Sequence, residues 1–380
     1  MILLSCISIF EAYSESGKEG GGKYSYSSLG VNLRPSYVVP THGFYNGNNP
    51  AGKPIRLGGA VDLQYFIMSG ERAVYQGLGA SLHTFFSHDL VGTPATLYIF
   101  QGAPVARLSE RLTVGYEWNL GISSGWKVNH VLFESPMNIY INAAVLFSWR
   151  VKPALDIVFG PEYSHFSNGD TRFPNGGANT VNLRAGIRGH IRPREEIRTE
   201  NLFSSDYKGL AFRDRISYDL AVLGGWRADR TVSDGTLHIF NKAFPVAGLY
   251  FNPMYRFNSF LSAGASLDIM YDSSANLIID VKDDGYPEYR VPPLAQQMCM
   301  GISVRTELKM PVFAVNIGIG YSLQLENHTR YLNDLNALYG VFFLKAFVTE
   351  RLFLNVSYRL SSVLYANDLM FGLGWRFGTI

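Results

Sequence analysis

The connections between apolar runs alternate between short and long, and this alternation constrains the fold more than any other feature. About sixteen runs show period-2 hydrophobicity, which is typical of β-strands, and helical periodicity is almost absent. Short connections include SGER, LSER, VKPA and KMP, whereas long ones include THGFYNGNNPAGKP and NGDTRFPNGGAN. Short turns at one end and long loops at the other are typical of an antiparallel transmembrane β-barrel of the bacterial outer membrane.

The composition supports strands that bend and meet an interface. The chain has 23 Tyr, 25 Phe and 38 Gly, and its formal net charge is only +2. This near-neutral charge gives no reason to expect a nucleic-acid partner, and no apolar run reaches the roughly 18 residues of a transmembrane helix. We expect no cofactor and no metal, because the histidines are scattered without ligand spacing.

The predicted strands separate an apolar face from a polar or charged one. Asp156 and Glu162 on the run 153–167 are predicted to face Arg184 and Arg188 on the next run. Paired charges inside a barrel fit this pattern, with the apolar faces turned toward lipid. A soluble β-sandwich or barrel is a third alternative, which predicts folding without detergent.

Two sequence matches at nearly the same separation indicate an internal repeat. GASL occurs at 79–82 and 264–267, and ANTVNLRAGIR at 178–188 matches ANDLMFGLGWR at 366–376. The repeat predicts a duplicated eight-strand unit. We favour one closed barrel of about sixteen strands, because a single ring leaves no exposed edges. Two tandem eight-stranded barrels are the alternative, and pairing of the first strand with the eighth would select it.

The chain is predicted to contain four segments. Residues 1–22 form a signal-like leader and polar N-terminus, and 23–191 form the first eight-strand unit. A polar periplasmic linker at 192–213 precedes the second unit at 214–380. The leader predicts a protein of the bacterial outer membrane whose N-terminal signal is removed.

The stretch YSHFSNGD places a histidine and a serine two residues apart on one predicted strand. Residues i and i+2 of a strand lie about 6.5–7 Å apart at Cα, and their side chains point the same way. His165 and Ser167 therefore share the lipid-facing side of the run 153–167, near its outer end. The pair suits a general base and a hydroxyl nucleophile. The alternative is an amphipathic rim histidine followed by a Ser-Asn-Gly turn.

HFSNGDTRFPNGGAN resembles the active-site segment of PagL-type lipid A 3-O-deacylases, which are grouped with acyloxyacyl hydrolase-like proteins. His165, Ser167 and Asn168 match the His-x-Ser-Asn of that family, and Pro174 and Asn175 match its Pro-Asn. The resemblance implies an eight-stranded outer-membrane barrel with its site on the lipid-facing wall.

The chain departs from the family pattern at Asn179, where the family has an acidic residue. The asparagine carbonyl can accept the imidazole N–H, as in Cys-His-Asn proteases, but it cannot stabilise an imidazolium by charge. Asp170 would have to fold back to replace the acid, and Glu162 points to the other face. We therefore expect His165, Ser167 and Asn179 to form the catalytic set.

The resemblance implies an outer-membrane serine esterase that removes an ester-linked acyl chain from lipid A or lipopolysaccharide. Asn168, Gly169 and Asn175 are expected to supply oxyanion or loop support. The matching strand of the second unit, RLFLNVSYRLSSVLY, contains no histidine, so we expect no esterase site there. The alternative function is a non-enzymatic barrel, either a pore or a surface protein with a degenerate site. The sequence leaves a homodimer open.

Overall fold

The computed structural model describes residues 25–69, 75–191, 211–233, 236–258, 261–281, 287–309, 313–324, 338–361 and 365–378. The chain divides into two compact units, and each contains one closed antiparallel barrel of eight strands. Within the described ranges, no helix is long and apolar enough to cross a membrane. The predicted leader at 1–22 and residues 192–210 of the predicted linker lie outside these ranges.

The first barrel is built from eight consecutive strands. They are β1 (Ser25–Val39), β2 (Leu57–Ser69), β3 (Tyr75–Thr84), β4 (Gly92–Arg107), β5 (Leu112–Trp126), β6 (Met137–Lys152), β7 (Leu155–Ser167) and β8 (Ala178–His190). Each strand pairs with the next, and β1 also pairs with β8, which closes the ring. A 3-10 turn at Gly43–Asn46 and a short α-helix at His88–Val91 lie in its loops.

The second barrel has the same order, with a small hairpin inserted. Its unit contains β9 (Ile216–Ser233), β10 (Thr236–Arg256), β11 (Leu261–Asp272), β12 (Ile278–Val281), β13 (Pro287–Arg290), β14 (Met298–Lys309), β15 (Phe313–Gln324), β16 (Leu338–Phe347), β17 (Leu352–Ser361) and β18 (Tyr365–Gly378). β18 pairs with β9 to close the ring, and β12 and β13 pair with each other as a two-stranded sheet. Two 3-10 turns, Phe212–Arg215 and Leu294–Gln297, precede β9 and β14.

The prediction of a single ring of about sixteen strands is wrong, and the alternative of two tandem eight-stranded barrels is confirmed. The first strand pairs with the eighth strand of its own unit, so each unit satisfies the backbone groups of its own edges. The all-β barrel architecture is confirmed. The two repeated motifs lie on equivalent strands, since GASL is on the third strand of each barrel and the longer match is on the eighth.

Charged side chains fill the interior of the first barrel. Arg184 donates to Glu162 at 2.8 Å and to Glu117 at 2.5 Å. Arg34 donates to Asp62 at 2.7 Å. All five side chains are buried, and buried charges persist only where such pairing offsets the loss of hydration. The predicted pairing of Glu162 with Arg184 is therefore confirmed.

The second predicted charge pair is in register but is not the main contact of either partner. Asp156 lies opposite Arg188 in the β7–β8 ladder. The Arg188 guanidinium lies 4.1 Å from the ring centroid of Phe66, and His190 Nε2 lies 3.0 Å from Asp156 Oδ2. A cation–π contact and a histidine thus complete this part of the interior.

The second barrel has its own interior charge network. Lys345 donates to Asp219 and to Glu307, both at 2.6 Å. Arg376 donates to the same two carboxylates at 2.7 Å. On the outside of this barrel, alternate β15 residues such as Ile317 are more than half exposed. Polar interiors and apolar exteriors are the pattern of barrels that lie in lipid.

Candidate active site

The last residues of β7 place the predicted base and nucleophile beside a long loop. Glu162, Ser164 and Phe166 alternate along β7 and are buried inside the barrel. Tyr163 has the opposite parity and is 46% exposed, so His165 and Ser167 belong to the outward face. Ser167 itself is only 1% exposed, because it lies where the loop begins. The ring of the buried Phe166 packs against that of Trp126, with 4.9 Å between the two ring centroids.

The imidazole of His165 is held by Asn179 on the neighbouring strand. The two residues are opposite each other in the β7–β8 ladder, and His165 Nδ1 lies 2.7 Å from Asn179 Oδ1. An amide oxygen can only accept, so Nδ1 carries the hydrogen and Nε2 keeps its lone pair. This is the tautomer that a general base needs.

Two further side chains complete the hydrogen bonds of the Asn179 amide. Tyr163 Oη donates to Asn179 Oδ1 at 2.7 Å, and Asn179 Nδ2 donates to Thr41 Oγ1 at 3.0 Å. The amide therefore joins β7, β8 and the loop after β1. Thr41 and Tyr163 were not predicted as site residues. Tyr163 could have been noticed, because it precedes His165 by two residues and shares its face.

The hydroxyl of Ser167 is held by the loop between β7 and β8, residues 168–177. Asn175 Nδ2 donates to Ser167 Oγ at 2.8 Å, and the backbone N–H of Asn168 donates to Asn175 Oδ1 at 3.1 Å. The amide of Asn175 is thus fixed at both ends. Because Oγ accepts this bond, the hydroxyl hydrogen can be donated in another direction.

Neighbouring loops hold the C-terminal part of the β7–β8 loop in place. Gly176 N donates to Leu132 O at 2.7 Å, and Glu134 N donates to Pro174 O at 3.0 Å. Tyr45 Oη donates to Gly177 O at 3.0 Å. Loops tied by backbone bonds on two sides position a site more rigidly than free loops do.

Backbone conformation explains two glycines of the β7–β8 loop. Gly169 has φ +65° and the next residue, Asp170, has φ +57°, so the chain reverses in the left-handed region. Gly177 has φ +62°, and a Cβ built there would lie 3.7 Å from His165 Cε1. Gly177 therefore lets the loop pass close to the imidazole.

The structure shows which of the side chains considered as hydrogen-bond partners of His165 contacts its ring. Asn179 contacts the ring, as expected, whereas the carboxylate of Glu162 lies inside the barrel with Arg184. Among the predicted oxyanion donors, the Asn168 N–H is directed at Asn175, and the Asn175 amide is directed at Ser167 Oγ. No group of three or more His, Cys, Asp or Glu side chains in the described part of the chain could hold a metal ion.

Burial changes the pKa of a histidine in the loop after β1. Partial burial lowers the pKa of His42, which follows β1, so its ring is neutral at pH 7. His42 Nδ1 accepts a hydrogen bond from Phe44 N at 3.1 Å. The ring therefore caps the 3-10 turn and brings no positive charge to this loop.

The equivalent strand of the second barrel differs in its chemistry. β17 reads LFLNVSYRLS and contains no histidine. Arg359 is buried inside the barrel, and its guanidinium lies 4.0 Å from the ring centroid of Tyr339. Leu354 is 47% exposed on the outside. The expectation that this unit has no esterase site stays a prediction.

Solved structures that are similar to the chain share little sequence identity with it. Neisserial surface protein A is 12% identical, with 44% of this chain and 99% of that chain covered, at a TM-score of 0.31. The siderophore receptor PirA from Pseudomonas aeruginosa is 8% identical, with 94% and 81% covered and a TM-score of 0.27. These likenesses are too weak to support an inference about function. None of the curated proteins compared with the chain matches it.

A family model matches the second barrel. Residues 216–379 match the family described as acyloxyacyl hydrolase, C-terminal domain. The match runs from the start of β9 to the end of β18, whereas the His165 and Ser167 pair lies in the first barrel. The second unit is therefore similar to the C-terminal domain of acyloxyacyl hydrolases, which agrees with the PagL-type resemblance of the segment around His165.

Proposed function

We propose that the protein is an outer-membrane serine esterase that removes an ester-linked acyl chain from lipid A, as a 3-O-deacylase does. The hydrogen bond between His165 Nδ1 and Asn179 Oδ1, beside Ser167 on the same strand face, carries this proposal. It supports His165 as the base, because Nε2 is left able to accept a proton. The acyloxyacyl hydrolase family match is consistent with ester chemistry.

The first half of the reaction acylates the serine. Ser167 gives its hydroxyl proton to His165 Nε2, and Oγ attacks the carbonyl carbon of the acyl ester. The carbonyl oxygen becomes an oxyanion in the tetrahedral intermediate. Collapse breaks the bond to the sugar oxygen, which takes the proton from His165. The acyl chain is then esterified to Ser167.

The second half releases the fatty acid. Water gives a proton to His165 Nε2 and attacks the acyl carbonyl carbon. The intermediate collapses to a carboxylic acid, and the proton returns to Ser167 Oγ. Asn179 orients the imidazole in both halves, but as a neutral amide it adds no charge stabilisation to the imidazolium.

Asn175 is the best-placed side chain to stabilise the oxyanion. Its Nδ2 lies 2.8 Å from Ser167 Oγ, the atom that bonds to the carbonyl carbon during attack. Asn168 N holds the other end of this amide, so the donor is fixed before the reaction. A preorganised donor of this kind contributes about 10²–10³ in kcat. We assign Asn168 and Gly169 to shaping the turn around it.

The outer wall beside His165 suits the acyl chains of a lipid substrate. Tyr37, Tyr163 and Val181 are each 46–48% exposed. Val181 lies opposite Tyr37 in the β1–β8 ladder and opposite Tyr163 in the β7–β8 ladder, so the three form one apolar surface. A substrate held in the outer leaflet would reach Ser167 by lateral movement along this wall.

The filled interiors favour the esterase over the pore alternative. Arg184 lies at hydrogen-bond distance from carboxylates on two other strands, β5 and β7. In the second barrel, Lys345 similarly bridges Asp219 on β9 and Glu307 on β14. Side chains that pair across an eight-stranded barrel occupy its narrow interior.

The direct test of this proposal is fatty-acid release from purified lipid A by the protein in detergent micelles. We expect the wild type to release a hydroxy fatty acid and Ser167→Ala to release none. Ser164→Ala is the matched control, because Ser164 lies on the same strand but points into the barrel and should leave activity intact. Equal release by Ser167→Ala and the wild type, or no release by the wild type, would refute the proposal.

A further inference from the structure

We propose that Thr41 is a positioning residue that, by accepting a hydrogen bond from Asn179, favours the form of His165 with its hydrogen on Nδ1. This inference rests on the proposed function, since it concerns the base of that reaction. Thr41 acts through Asn179, whose Nδ2 donates to Thr41 Oγ1 at 3.0 Å while Oδ1 accepts from His165 Nδ1 at 2.7 Å. One amide group thus connects the hydroxyl of Thr41 to the imidazole.

The Asn179 amide has two orientations that satisfy the same number of hydrogen bonds. In the observed one, Oδ1 accepts from Tyr163 and His165, and Nδ2 donates to Thr41. With the amide turned over, Thr41 would donate to Oδ1, and Nδ2 would donate to the Tyr163 oxygen and to His165 Nδ1. Both hydroxyls permit this reversal, because a hydroxyl can donate or accept.

The two orientations have opposite consequences for the base. In the observed orientation, Nδ1 carries the hydrogen and Nε2 has the lone pair that a base requires. In the reversed orientation, Nδ1 must accept, so Nε2 carries the hydrogen and cannot take a proton from Ser167. A carboxylate at position 179 could only accept, so the choice exists because this residue is an asparagine.

Thr41 is well placed to bias the orientation of the Asn179 amide through the hydrogen bond that it accepts. It lies just beyond β1, and Val39 of β1 is opposite Asn179 in the β1–β8 ladder. Thr41 N donates to Val39 O at 2.8 Å, which fixes the chain at this point. The residue is exposed, so substitutions there should not disturb the barrel interior.

A side chain at position 41 that can only donate and one that can only accept should shift the equilibrium between the two Asn179 amide orientations in opposite directions. Lysine can only donate, so Thr41→Lys favours the reversed amide, and we expect kcat to fall about tenfold, the equivalent of one hydrogen bond. Aspartate can only accept, so Thr41→Asp favours the observed amide, and we expect kcat to equal or exceed that of the wild type. Thr41→Val removes both the donor and the acceptor, and we expect its kcat to lie between those of Thr41→Lys and Thr41→Asp.

The background Asn179→Asp separates this effect from a change of charge or structure. A carboxylate can accept from the introduced lysine and from His165 Nδ1 at once. We therefore expect Thr41→Lys to lower kcat only slightly in the Asn179→Asp background. Equal losses from Thr41→Lys in the Asn179 and Asn179→Asp backgrounds would overturn the inference, since they would show a role independent of amide orientation.

Nitrogen NMR of histidine-labelled protein in detergent micelles tests the inference without using activity. The ring nitrogens of His165, assigned by the signals lost in His165→Ala, report which nitrogen is protonated. We expect hydrogen on Nδ1 in the wild type and in Thr41→Asp, and a shift toward Nε2 in Thr41→Lys. The same tautomer in all three proteins would overturn the inference. Absence of lipid A cleavage by a wild type with the Nδ1 tautomer would instead overturn the proposed function.

Discussion

The side-chain amide of Asn175 donates a hydrogen bond of 2.8 Å to the hydroxyl oxygen of Ser167. This bond spans the β7–β8 loop and ties its far end back to the last residue of β7. The Asn168 N–H fixes the opposite end of the same amide. The proposed nucleophile is therefore held by a donor that has no freedom to rotate away, as electrostatic preorganisation requires.

Asn175→Asp should reduce turnover while preserving the fold. The substitution keeps the shape and the acceptor for Asn168 N, but it replaces the donor to Ser167 with a negative charge. We expect kcat for fatty-acid release to fall at least about 100-fold, the effect of losing an oxyanion donor.

Asn46→Asp is the matched control for this substitution. Asn46 is exposed in the loop after β1, and its Oδ1 accepts from Arg56 Nη2 at 2.7 Å, a bond that aspartate retains. We expect unchanged turnover. Wild-type kcat in Asn175→Asp would show that Asn175 does not stabilise the transition state.

Gly177→Ala should impair catalysis more than an equivalent change elsewhere. Gly177 and Gly52 both have φ +62°, so alanine costs about 1 kcal/mol of backbone strain at either position. Only at Gly177 would the new Cβ lie near His165, at 3.7 Å from Cε1. We expect both variants to lose stability, Gly177→Ala more because its Cβ would also lie 3.3 Å from Phe166 O, but we expect a lower kcat only in Gly177→Ala. Equal kcat in both would mean that the loop does not position the imidazole.

Arg184→Leu should destabilise the first barrel strongly. Arg184 is fully buried and pairs with Glu117 and Glu162, so its removal takes a cationic partner from two buried carboxylates. We expect a loss of about 3–5 kcal/mol in urea unfolding from detergent micelles. Arg213→Leu is the control, because the Arg213 side chain is 90% exposed and its pair with Asp214 should contribute nothing measurable. Similar midpoints for the two variants would contradict the proposed role of the interior network.

The protein should not conduct ions. The interior of the first barrel contains the network around Arg184, and that of the second contains the network around Lys345. We expect no steady conductance when the purified wild type is added to planar bilayers in which a porin, tested in parallel, conducts. Conductance that persists in His165→Ala, without ester cleavage, would support the pore alternative instead.

The local alternation of apolar and polar residues was enough to predict most of the fold. The run 153–167 becomes β7 (Leu155–Ser167), because alternation over a dozen residues reports which face is buried. Ring closure was mispredicted because the pairing of β1 with β8 joins residues more than 100 positions apart. The hairpin β12–β13 was not predicted, since its strands have only four residues each.

The site residues also differ in how far they could be predicted, because some follow from local sequence and others depend on contacts between distant parts of the chain. His165 and Ser167 follow from their spacing on one strand, and Asn179 follows from the resemblance to the family. Its contact with His165 is set by cross-strand register, which the structure supplies. Thr41 is 138 residues from Asn179, and only the closed ring brings the two side chains together. No signal in the sequence marks that contact.

Mass spectrometry of lipid A from Gram-negative cells tests the central claim most directly. The cells would express the wild type, His165→Ala or Ser167→Ala, with each protein shown to be in the outer membrane. We expect lipid A to lose the mass of one hydroxyacyl chain in cells with the wild type and to be unchanged with either variant. Unchanged lipid A in cells that carry the wild type in their outer membrane would contradict the proposed deacylase.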